Sequence, residues 1–292
     1  EWFGKVAALL AAILYSLSPI NIIYSRSSWN PNPAPFFALI LIWAINRYHQ
    51  TKKGWWLLIQ GGAMAFLVQM HYLALILLGI VWILWGFESW WLRKDWKKLK
   101  QFWLWCLAGI GVFGALMSPL LVFDIRHDWM NFKALSTFFG DRQTTVNLNV
   151  FNTFERMLPI YYQDLIGRYM VSENNLLMWV VPILLLVPVI ILIIKFIKTK
   201  QWEWRWLVLS GWMLGGVVGL ALYKQSIYDH YLGFLNPVPF LLLGALVYVI
   251  NHLDSKKFSQ ILRGIFFLLM SILVLINIQR SPLAKEPNNQ LK

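Results

Sequence analysis

WWLLIQGGAMAFLVQMHYLALILLGIVWILWGF, residues 55–87, is the stretch on which the fold turns. As one helix it would be about 50 Å long at 1.5 Å per residue, too long for a single crossing of a bilayer core about 30 Å thick. The step Gln69-Met70-His71-Tyr72 interrupts its apolar run. Two short helices meeting at His71 therefore fit better than one long tilted helix. That choice decides on which side of a membrane every later segment lies.

Apolar stretches continue on both sides of this one. Nine candidate spans run over 4–24, 34–47, 55–70, 72–87, 102–122, 176–197, 205–223, 231–250 and 263–279. The composition agrees: 59% of the 292 residues are hydrophobic and 13% charged, with a mean hydropathy of +0.56. Soluble domains hold about 45–50% apolar and about 25% charged residues. The expected fold class is all-α, a polytopic membrane helical bundle of about nine transmembrane helices with one long outer loop at 124–175. Residues 1–279 form its core, and 280–292 a polar, outward-facing tail. A single cysteine, Cys106, excludes an internal disulfide and a multi-cysteine metal site.

The formal charge of +13 is not the mark of a nucleic-acid binder, because the basic residues sit in short clusters between apolar runs, among eighteen tryptophans. That pattern belongs to membrane-flanking loops and interfacial aromatic belts. Strict alternation of nine crossings puts residues 1–5, 47–54, 88–101, 195–205 and 251–263 on one side, with sixteen of the 26 Lys and Arg and five acids. The other side keeps ten basic residues and eight acids. The basic side is then cytoplasmic. The segment 88–101 reads as lying along the cytoplasmic surface, held by anionic lipid. Gly61-Gly62, Gly109 with Gly111 and Gly114, and Gly215-Gly216 with Gly219 read as sites of close helix packing.

Polar residues gather near the outer ends of the spans, where an uncompensated charge beside hydrocarbon is costly. Five groups stand out. Arg26 and Asn30 lie in a Pro/Asn-rich turn after Ser18-Pro19. His71 and Tyr72 occupy the apex between two short helices. Asp124, Arg126, His127 and Asp128 follow Ser118-Pro119, an arrangement open to an ion-pair network or an anion site. The loop 136–175 carries Arg142, Arg156, Tyr161, Tyr162, Asp164, Arg168 and Tyr169 on short amphipathic stretches, a covering lid. Lys224, Tyr228, Asp229, His230 and Tyr231 then form the densest polar cluster at a helix mouth. Arg, Lys and His at a membrane surface suit a lipid-linked phosphate, and aromatic rings suit a sugar or a prenyl chain.

Taken in order, these segments resemble a known family. AILYSLSP at 12–19, Tyr24-Ser25-Arg26, Asn30-Pro31, Gly61-Gly62 through His71-Tyr72, the exit from Pro119 to Trp129, and His230-Tyr231-Leu232 with Pro237 are similar to glycosyltransferase family 39. That family includes protein O-mannosyltransferases and bacterial aminoarabinose lipid A transferases. The resemblance implies a GT-C membrane fold and transfer of a sugar from a polyprenyl-phosphate donor to a lipid, glycan or protein acceptor. It implies a site on the extracytoplasmic face of an integral membrane protein, of a bacterial plasma membrane. The family's catalytic acid lies in its first outer loop. The first span here looks like the family's third, so the base is expected upstream of Glu1, and residues 1–292 are expected to insert but transfer no sugar alone. Members often carry an acid near the position of Asn30 and a lysine near that of His71. The implied binding residues are Arg26, Asn30, His71, Tyr72, Asp124, Arg126, His127, Lys224, Tyr228, Asp229, His230 and Tyr231. No cofactor is called for, and a divalent metal is left open. A transporter or lipid flippase, and a polysaccharide polymerase or ligase, are the alternatives.

Overall fold

The computed structural model describes residues 2–140 and 149–284. The expected tail beyond 284 and the lid residue Arg142 lie outside the described residues. All nine predicted stretches are helical, and twelve α-helices are present among the described residues. They are α1 (Gly4–Leu17), α2 (Pro19–Ser25), α3 (Ala34–Thr51), α4 (Trp55–Met70), α5 (Ile76–Leu92) and α6 (Trp96–Arg126). There follow α7 (Met130–Gly140), α8 (Val150–Leu158), α9 (Leu177–Thr199), α10 (Trp204–Leu222), α11 (Pro237–Asn251) and α12 (Lys256–Gln279). Among the described residues five segments are long and apolar enough to cross a membrane: Tyr72–Leu92, α6, α9, α10 and α12. The bent pair of α1 and α2 makes a sixth, while α4 and α11 are apolar but shorter. The chain is thus an all-α bundle of membrane-spanning character.

Two local features differ from the sequence-based expectation. The first span breaks at Ser18-Pro19, where α1 and α2 meet at 68°. Proline has no N–H to continue the ladder and drives the preceding residue out of the helical region; Ser18 is accordingly extended, with ψ 121°. The 88–101 segment is not a separate surface-lying piece. α5 runs to Leu92 and α6 starts at Trp96, its first turn capped by the Asp95 carboxylate, which accepts from the Lys98 N–H at 3.1 Å. In the long 124–175 connection the expected amphipathic stretches are helical among the described residues, as α7, α8 and a π-helical stretch, Pro159–Arg168.

The chain divides into two compact units. The first comprises Glu1–Asn32, Leu158–Met213 and Asn236–Lys292. In it α1 packs on α11 through small residues: Ala7 and Ala11 are buried, and a Cβ at Gly244 would collide with the Ala7 carbonyl. The bend frees the Tyr15 carbonyl, which accepts from Asn21 Nδ2 at 3.1 Å; Asn21 in turn accepts from Asn236 Nδ2 at 3.1 Å. At the far end of α1 the Arg205 guanidinium packs against the rings of Phe3 and Tyr248 and pairs with Glu203. Hydrogen bonds from Lys195 and Arg205 outweigh burial and hold the Glu203 carboxyl below the usual carboxylate range.

The second unit comprises Pro33–Met157 and Leu214–Leu235. α4 and α6 approach backbone to backbone: a Cβ at Gly61 would strike the Gly109 carbonyl, and one at Gly109 the Leu57 carbonyl. Gly215 and Gly219 admit Ile80 and Ile76, and Gly216 admits Leu235. Gly111 and Gly114 have nothing within 4 Å of a built Cβ, so packing does not explain them. At the basic end of this unit Glu88, on α5, is 2% exposed. It pairs with His49 at 2.7 Å and with Lys52, both at the end of α3. Buried charge is tolerated there because it is paired.

Candidate functional site

α4 stops at Met70 because His71 adopts an extended conformation (φ −159°, ψ 126°). The His71 ring then caps a 3-10 turn, Tyr72–Leu75, its Nδ1 accepting from the Leu73 N–H at 3.2 Å. An Nδ1 that accepts carries no proton, so Nε2 bears the hydrogen and is a donor. The break expected at this apex is present, and it sets the imidazole at the end of a helix rather than along its side.

A second irregular segment of the same unit meets it. α10 ends at Leu222, Tyr228 is extended, and Asp229–Leu232 forms another 3-10 turn. This turn presents two side chains to His71. The Tyr231 ring lies 4.4 Å from the His71 ring, and the His230 ring stands edge-on to it at 5.7 Å. Tyr72 stacks on His71 at 4.7 Å, and Tyr228 on His230 at 5.9 Å. The hydroxyls of Tyr72 and Tyr223 are 3.3 Å apart. Seven of the sequence candidates therefore fall on the two segments that meet here: His71, Tyr72, Lys224, Tyr228, Asp229, His230 and Tyr231.

The electrostatics of the two histidines differ from those of a cationic phosphate clamp. Burial pushes the His71 imidazole down to about 4, and the charge of His230 adds to the effect. Burial lowers His230 as well. With both lowered, each imidazole offers a hydrogen-bond donor rather than a positive charge at pH 7. Among the described residues no three His, Cys, Asp or Glu side chains gather as a metal site would require.

The remaining candidates lie elsewhere. Asp124 is buried, but both carboxylate oxygens are used locally, accepting from the Asn131 and Phe132 N–H groups at 2.8 Å. It caps α7, and of the two arrangements open to 124–128 the ion-pair network is not formed among the described residues. His127 lies stacked on Phe123 at 4.0 Å with Nδ1 on the Phe123 carbonyl at 2.8 Å, and Arg126 and Asp128 are exposed. Arg26 and Asn30 are exposed and belong to the other unit. Their turn is closed by Asn32, whose Nδ2 donates to the Tyr24 and Ser27 carbonyls, each at 2.7 Å.

Two residues outside the expected binding set help build the cluster. Tyr223, read as the last residue of a span, contacts Tyr72. Arg156, read as part of a lid, donates to the carbonyls of residues 223, 224 and 225. No spacing rule links positions so far apart, so the sequence held no signal for either contact.

Residues 1–122 match the family model of dolichyl-phosphate-mannose-protein mannosyltransferases. The matched stretch holds Arg26, Asn30, His71 and Tyr72 but not the 223–231 segment. No curated protein and no solved structure matches the chain. The family match bears out the resemblance drawn from the sequence and supports a membrane glycosyltransferase of the GT-C type.

Proposed function

We propose that the protein transfers a sugar from a polyprenyl-phosphate donor to a hydroxyl of a glycan, lipid or protein acceptor, at the extracytoplasmic face of its membrane. The observation that carries this reading is the meeting of His71, from the family-matched stretch, with His230 and Tyr231, from outside it. Aromatic rings offer flat apolar faces to a sugar or an isoprene unit. The two imidazoles offer neutral donors to a phosphate oxygen. The reaction is a displacement at the anomeric carbon: the acceptor oxygen bonds to it while the bond to the phosphate oxygen breaks. The leaving phosphate accepts hydrogen bonds from the imidazoles, and its charge favours uptake of a proton by either ring. The resemblance puts the general base in the family's first outer loop. Of the three carboxylates near the outer ends of the spans, Asp124 is committed to backbone N–H groups and Asp128 is exposed on a left-handed turn with φ 52°. Asp229 is the one adjoining the histidine cluster in sequence. The test is transfer of radiolabelled sugar from a polyprenyl-phosphate donor in membranes. A neutral hydrogen bond is worth about 0.5–1.5 kcal/mol, so His230→Ala should slow turnover roughly two- to tenfold. Undiminished turnover would remove the cluster from the active site.

A further inference from the structure

Between α10 and the turn that carries His230, the chain has no helical ladder to satisfy its backbone. Carbonyls left there need other donors. Three consecutive ones, at 223, 224 and 225, are taken by a single side chain. Arg156 Nη1 donates to the Lys224 carbonyl at 3.0 Å, and Nη2 to the Tyr223 and Gln225 carbonyls at 2.7 and 2.9 Å. A guanidinium can do this because its N–H groups form a rigid planar fork; an ammonium reaches out with one nitrogen. Among the described residues Arg156 forms no ion pair, so the peptide carbonyls are what its charge faces.

α8 is built to deliver this side chain. Thr153 is buried and Arg156 half-buried, three positions apart and on one face. Val150, Phe151 and Phe154 are exposed on another, Phe151 by 82%. The helix thus turns apolar rings outward, with Asn152 and Glu155 exposed beside them, and Thr153 and Arg156 inward. An outward apolar face of this kind suits a helix lying against lipid.

We propose that Arg156 is a positioning residue of the candidate site. It fixes the 223–225 backbone in the place from which Tyr223 meets Tyr72 and the following turn presents His230 and Tyr231 to His71. The proposal rests on reading that cluster as the donor site. Arg156 acts through the backbone and touches no reacting atom.

The experiment uses the full-length protein in nanodiscs, with Arg156→Gln, Arg156→Lys and His230→Ala. Trypsin cleavage after Lys224, followed by mass spectrometry, reads the backbone without any need for activity. Losing hydrogen bonds to a charged donor should speed this cleavage about tenfold or more in Arg156→Gln. Arg156→Lys, which serves where Arg156→Gln does not fold, should be intermediate. An unchanged cleavage rate overturns the Arg156 proposal alone. Turnover is then measured in the same preparations. Arg156→Gln should lower kcat, Arg156→Lys should not restore it, and Arg156→Gln should cost less when added to His230→Ala than by itself. Full rescue by Lys, or strictly additive losses, overturns the proposal by showing that charge or a separate site is at work. Undiminished turnover in His230→Ala overturns the donor-site reading, and the role of Arg156 in it.

Discussion

An imidazole packed among aromatic rings holds its proton less firmly than one in water. For His71 the ordinary value of 6.5 falls to about 4. Above about pH 6.5 the ring is neutral in the folded and the unfolded chain alike, and folding is indifferent to it. As pH falls from there toward about 4, the unfolded chain takes up the proton first, and stability is lost across that window. NMR of histidine-labelled protein in nanodiscs, assigned with His71→Gln, should show the His71 imidazole uncharged at pH 5.5. A His71 titration near pH 6.5 would contradict the burial argument. His71 also shows what a sequence conveys at this scale. Its place at a helix break was legible, because a polar pair interrupting apolar sequence marks a chain turning back. Its charge state was not, because that depends on His230 and Tyr231, brought to it by folding.

Single glycines decide how closely two helices can lie, and they do so unequally along α6. At Gly109 the backbone of α4 is already in contact, and at Gly61 the backbone of α6 is. A larger side chain at either position forces the helices apart. Gly61→Leu should therefore abolish recovery of monodisperse protein in detergent, whereas Gly111→Ala and Gly114→Ala, with open space around them, should leave it unchanged. Size-exclusion profiles of the three variants give the comparison. The sequence marked all of these glycines alike, since a small residue in a span reads the same whether it meets a neighbour or faces outward. The break at Pro19 had an equally plain local cause, yet the hydropathy run across it concealed a 68° bend.

The split between more and less basic connections predicts the sidedness of the whole chain by the positive-inside rule. Cysteines placed singly at Lys97 and Ser226, both exposed, in a Cys106→Ala background should differ in intact cells: the second labels with a membrane-impermeant maleimide and the first does not. The opposite pattern would invert the topology and move the histidine cluster to the cytoplasmic side. At this scale the helical class was legible because the composition leaves little else. The division into two units was not, since each gathers segments from distant parts of the chain. Sequence order also bears on how such a protein is made. Glu88 meets His49 and Lys52, which precede it by 39 and 36 positions. During synthesis α3 emerges first, bringing the basic partners, and the carboxylate arrives only with α5. Released singly into lipid, α5 would carry an uncompensated charge. The ion cluster therefore closes only once α5 lies beside α3, with α4 already made between them.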